Sequence, residues 1–193
     1  MPSDNLSMSP TITSMIRLDH MHALAAFHRY HPDSLGWRKR AIVSSTCAAL
    51  EIHAQLEEEI FYPAIARVLP DDDTLRKSQP EHDKMRKMIR KLREMNPDDS
   101  AYDNSFFQLM REVIHHVADE EAVLLPAAER ALKSELRTLG AGMTRRRMRL
   151  LAQRPGEIAI NTAGTFPLAT LGMGALLILM GSRCLRSSAR SVR

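Results

Sequence analysis

His53-Ala54-Gln55-Leu56-Glu57-Glu58-Glu59-Ile60-Phe61-Tyr62-Pro63 and His116-Val117-Ala118-Asp119-Glu120-Glu121-Ala122-Val123-Leu124-Leu125-Pro126 are two copies of one pattern, H-x-x-x-E-E-x-x-x-x-P. A further histidine precedes each copy, His20 by 33 residues and His82 by 34. The chain is a duplicated unit, and each half offers two histidines and a carboxylate. On an α-helix, residues four apart lie one above the other on one face. His53 with Glu57, and His116 with Glu120, therefore point into a common interior space. A lone H-x-x-x-E is common on solvated helix faces; two copies with equally placed upstream histidines point to a dinuclear metal centre between helices.

Outward from these copies the periodicity is helical, with no sustained period-2 alternation. A first helix is expected from about Thr13 to Tyr30, with Ile16, His20, Leu24 and Phe27 on one stripe. The second, about Trp37 to Val68, carries Ile42, Leu50, His53, Glu57 and Ile60, and a kink is expected near Pro63. Ser78-Gln79-Pro80-Glu81 has the form of a capping box, so the third helix is expected to begin there and run to about Met95. The fourth is expected from about Ser105 to Leu139, bent near Pro126. A buried ionised Glu is costly unless paired or bound to a cation, and a metal pair explains why two Glu and four His share the apolar stripes. The fold predicted is an all-α, up-down-up-down four-helix bundle with a C-terminal apolar helix.

The net charge of +4 hides an asymmetry: residues 1–136 carry −5 and residues 137–193 carry +9, the latter from ten Arg against Glu157. Nucleic acid is a poor partner for the acidic bundle, and an anionic membrane surface suits the tail. Residues 158–182 are uncharged, and 25 helical residues could cross a hydrocarbon core of roughly 30 Å. The expected organisation is a flexible leader (1–11), the bundle (12–139), a basic linker (140–157), an apolar membrane segment (158–182) and a basic tail (183–193). Met1 to Pro10 has no charged-then-apolar signal pattern. Cys47 and Cys184 form no disulfide framework, so a cytoplasmic domain attached to a membrane is expected.

Leu18-Asp19-His20, the two H-x-x-x-E-E-x-x-x-x-P copies and Glu81-His82-Asp83 resemble the hemerythrin family, in particular bacterial HHE cation-binding domains. The resemblance covers about residues 12–135. It implies a bundle around a non-haem di-iron centre that can be oxo-bridged, with His20, His53, Glu57, His82, His116 and Glu120 as metal ligands. Glu57 and Glu120 would be candidates to bridge the irons. Oxygen carriers of the family have a second histidine one turn after the third-helix ligand; here that position is Arg86. The remaining set of three ligands from each half is similar to that of the iron-sulphur-cluster repair and nitric-oxide-responsive di-iron proteins, whose N-terminal cysteine segment is lacking.

Imidazole and carboxylate donors suit Fe, Mn or Zn alike. The function expected is binding or sensing of oxygen, nitric oxide or peroxide, with no catalytic residue assigned. The alternatives are a di-iron oxidase, iron-handling or cluster-repair protein, or a metal-free helical interaction module. An oxidase- or ferritin-like site needs E-x-x-H on two helices, whereas Glu112-Val113-Ile114-His115 is the only instance. Phe27, Phe61 and Leu124 are expected to control access. Glu58 and Glu121 follow the ligand Glu by one position, so they rotate away by about 100° and are expected in solvent or salt bridges, as is Glu59. His22, His28, His31 and His115 are expected at the surface.

Overall fold

The computed structural model describes residues 10–153. Seven α-helices occur among them: α1 (Ile12–His28), α2 (Gly36–Leu56), α3 (Tyr62–Ala66), α4 (Asp73–Glu94), α5 (Tyr102–Asp119), α6 (Leu125–Ala131) and α7 (Leu136–Ala152). A π-helical turn joins α2 to α3 over Glu57–Phe61, and another joins α5 to α6 over Glu120–Leu124. The bundle thus consists of α1, the α2–α3 rod, α4 and the α5–α6 rod. α1 packs on α2, and α4 on α5.

The bend expected at each proline takes the form of these π turns. Pro63 has no N–H to donate, and in an α-helix its ring would clash with the carbonyl four residues back. One extra residue in the preceding turn removes the conflict. The backbone N–H of Tyr62 reaches the Glu57 carbonyl, and that of Leu125 reaches Glu120, five residues back in both copies. Both distortions therefore begin on the predicted ligand glutamates.

Three elements depart from expectation at their boundaries. α4 begins at Asp73, where the Asp72 carboxylate accepts from the backbone N–H groups of Thr74 (2.9 Å) and Leu75 (3.0 Å). Ser78 does not cap; its hydroxyl donates to the Thr74 carbonyl inside the helix, and Pro80 lies within it. The expected fourth helix starts earlier, at Tyr102, and breaks after Ala131. Residues 140–152, expected as linker, belong to α7, which lies across α1 and α2. A side chain at Gly140 would put its Cβ 2.1 Å from the Pro10 carbonyl oxygen, so glycine allows this close approach.

Two apolar layers fill the bundle. One holds Ile12, Ile16, Leu56, Phe61, Leu124 and Met143; the other holds Ala23, Leu50, Met85, Ile89, Phe106 and Val113. His20, His53 and His116 sit between them along their helices, so apolar residues flank the polar layer above and below. None of the described helices is long and apolar enough to cross a membrane. The expected leader up to residue 9, the apolar segment 158–182 and the basic tail lie outside the described residues.

Candidate metal centre

All six predicted ligands are buried, and Glu57, Glu120 and His82 have no exposed surface. His53 Nε2 lies 3.2 Å and His82 Nε2 3.4 Å from Glu57 Oε2. His20 Nε2 lies 3.3 Å and His116 Nε2 3.7 Å from Glu120 Oε2. The donors form two groups, His20-His53-Glu57-Glu120 and Glu57-His82-His116, with ligand atoms within 4.8 Å of one another in each. Glu57 belongs to both.

A cation fits this arrangement. Among the described residues, His20 Nε2, His53 Nε2, Glu57 Oε1 and Glu120 Oε2 are buried without hydrogen-bond partners. Leaving such groups unsatisfied costs about 1–3 kcal/mol each, and a metal ion would satisfy them together. Burial alone would raise the Glu57 carboxyl, yet the facing imidazoles of His53, His116 and His82 hold it well below the usual carboxylate range. Burial opposes the charged form of His116. The carboxylates of Glu57 and Glu120, whose Oε2 atoms lie 4.0 and 3.7 Å from its Nε2, outweigh that and raise it to about 9.

The ring orientations are set from outside. Each histidine presents Nδ1 to a carboxylate: His20 to Glu121 (2.9 Å), His53 to Asp19 (3.4 Å), His82 to Glu58 (3.0 Å) and His116 to Glu81 (2.8 Å). An ionised carboxylate only accepts. In the neutral ring Nδ1 therefore carries the proton, which leaves the Nε2 lone pair on the inner side where a metal would take it.

These contacts follow the duplication. The residue before each upstream histidine holds the H-x-x-x-E histidine of its own half. The second glutamate of each E-E pair crosses to the upstream histidine of the other half. Glu58 and Glu121 do make salt bridges, to Arg86 (2.7 Å) and Arg17 (3.0 Å). Their contact with His82 and His20 was missed because rotation about a single helix says nothing of the neighbouring one. Glu59 pairs with Arg146, as expected of an exposed carboxylate.

Tyr62 is a site residue that sequence reasoning overlooked. Its hydroxyl donates to Glu120 Oε1 at 2.9 Å and lies 3.3 Å from both Glu57 Oε2 and His82 Nε2. In an α-helix, residue 62 would sit about 140° from residue 57; the π turn brings it round to the same face. Burial, then the charges of Glu57 and Glu120, keeps the phenol protonated.

A cavity of about 90 Å³ adjoins the donors, well above the roughly 10–15 Å³ that admits one water. All four predicted ligand histidines line it and neither predicted glutamate does; Ala23, Ala49, Leu50, Met85, Ile89 and Val113 supply apolar wall. Phe27, Phe61 and Leu124, expected to control access, are not among its lining residues: Phe61 and Leu124 belong to one apolar layer and Phe27 packs against the other. His28, His31 and His115 are exposed, and so is His22, which reaches the cavity.

Among solved structures, a hemerythrin HHE cation-binding domain-containing protein from Mycobacterium kansasii superposes with a TM-score of 0.64 at 17% identity, covering 84% of this chain and 97% of that one. Among characterised proteins, a DNA nickase from Nostoc sp. is 26% identical over 133 residues; these are 69% of this chain but only 37% of the nickase. The model of the hemerythrin HHE cation binding domain matches residues 11–128 and again 80–162. With two donor groups formed by a duplicated motif inside a helical bundle, this chain belongs to the hemerythrin HHE cation-binding domain family.

Proposed function

We propose that the bundle holds two iron ions, one in each donor group with Glu57 shared, and binds or senses a small ligand such as dioxygen, nitric oxide or peroxide. The observation that carries this reading is the set of buried, unpartnered atoms in the His20-His53-Glu57-Glu120 group, beside a cavity lined by all four histidines and neither glutamate; the second ion rests on the repetition of the donor set in Glu57-His82-His116. When bound, reduced iron supplies an open coordination position and electrons for such a ligand. The protein supplies the rest. The four carboxylate–histidine pairs hold the Nε2 atoms in place. The apolar part of the wall, Ala23, Ala49, Leu50, Met85, Ile89 and Val113, favours small, weakly hydrated solutes. Tyr62, on the glutamate side, holds a proton at its hydroxyl against Glu120.

Membrane attachment through residues 158–182 belongs to the same proposal, supported by their uncharged composition and flanking arginines. The strand-nicking activity named for the Nostoc relative is not part of it. Residues 1–136 carry −5, so this part of the chain offers a polyanion little electrostatic footing; the positive charge lies in residues 137–193.

Elemental analysis of the purified full chain tests the reading, alongside a His53→Ala/His116→Ala double variant. Close to two irons per chain are expected, lost in the variant, with a spectral change on adding oxygen, nitric oxide or peroxide. Iron-loaded protein that responds to none of the three would end the small-ligand reading.

A further inference from the structure

The carboxylates behind the four histidines are not equally held. Asp19, behind His53, is gripped by Arg147 of α7, whose Nη1 donates to Oδ1 at 2.8 Å and Nη2 to Oδ2 at 2.5 Å. Glu121, behind His20, receives the Arg17 Nε–H at 3.0 Å, and the same guanidinium also engages Glu129. Both histidines of the first donor group are therefore fixed through a carboxylate and an arginine. In the second group only His82 has this support, where Arg86 donates to Glu58 Oε2 at 2.7 Å. Glu81, behind His116, accepts a hydrogen bond from no arginine among the described residues, and borders a surface groove with Arg76, Lys77 and Lys84.

Guanidinium–carboxylate pairs are the most directional of the charge-assisted hydrogen bonds, and outer partners of metal ligands govern how firmly the ligands hold. We infer that the two metal positions are unequal. Arg17 and Arg147 are positioning residues that lock the His20–His53 position, while the His82–His116 position, supported by Arg86 alone, is the exchangeable one. This rests on the two-metal reading above. It also gives Arg86 a task at the position where oxygen carriers place a ligand histidine, and ties α7 to the centre through Asp19.

The test is iron release from the ferrous full chain to excess ferrozine without oxygen. Wild type should lose its iron in two phases of similar amplitude, and His116→Ala should lack the fast one. Arg147→Ala and Arg17→Ala should each speed the slow phase by about 10- to 100-fold and leave the fast phase alone; Arg86→Ala should do the reverse. Arg147→Lys should restore part of the slow phase. Should Arg147→Ala fail to fold, Arg17→Ala addresses the same phase. Arg67→Ala, which breaks an exposed pair with Glu135, should change neither phase. A single phase in wild type carrying two irons, or arginine variants that speed both phases alike, would overturn the inference and leave the di-iron reading standing. Wild type that takes up no iron would overturn both.

Discussion

The Tyr62 hydroxyl donates to Oε1 of Glu120 at 2.9 Å, joining a residue of the first repeat to a ligand of the second. The partner exists only because a π turn precedes Pro63, and the second repeat has Leu125 at the matching position. The duplicated motif is thus asymmetric where the two halves meet.

Tyr62→Phe removes the donor and leaves Glu120 Oε1 unsatisfied in a fully buried place. The metal-free protein should lose about 1–3 kcal/mol of stability, read as a lower urea midpoint at unchanged slope. An unaltered midpoint would show that the hydroxyl contributes nothing to holding Glu120.

Glu57 serves both donor groups and Glu120 only one. Glu57→Ala should therefore reduce bound iron to well below one per chain, whereas Glu120→Ala should retain about one. Equal losses in the two variants would contradict the sharing of Glu57.

The metal-free protein should weaken as pH rises. Burial disfavours the protonated rings of His20, His82 and His116, yet the surrounding glutamates raise all three, His116 to about 9. A group raised above its unfolded value contributes stability fully below about pH 6.5, and that contribution is lost as pH climbs through the folded value. The urea midpoint without metal should fall from about pH 6.5 through about pH 9. Metal binding requires neutral imidazole and releases protons, so the iron-loaded protein should show the opposite trend over the lower part of that range. A flat metal-free profile would remove this linkage.

Gly140→Ala places a methyl against the Pro10 carbonyl, backbone that cannot give way cheaply. α7 should lift, costing about 1–3 kcal/mol as overpacking does, and the Arg147 grip on Asp19 should loosen with it. Thermal unfolding of the full chain checks the first effect; an unchanged melting temperature would mean that α7 is not seated as described.

Much of this was legible in the residues. The four-residue spacing of His53 with Glu57, and of His116 with Glu120, fixes a shared helix face whatever surrounds it. Repetition of the unit pointed to the six His and Glu side chains that the structure buries and brings into two groups. The two prolines announced a distortion. Tyr62 stayed hidden because α-helical geometry turns it away from Glu57. Arg147 stayed hidden because the arginine-rich run around it reads as solvated linker; only contact with Asp19 on α1, 128 residues earlier, gives it a partner.

What the sequence determined by itself was local: helical period, the repeat, and the donor chemistry at each inward position, because these depend on spacing along one chain segment. The tertiary structure decided everything that needs two segments at once. It set which carboxylate stands behind each histidine, that Glu57 belongs to both donor groups, and that α7 packs on the bundle. The reason is physical: hydrogen-bond geometry is fixed within a few tenths of an ångström, and only the packing of whole helices sets distances that fine between residues far apart in the chain.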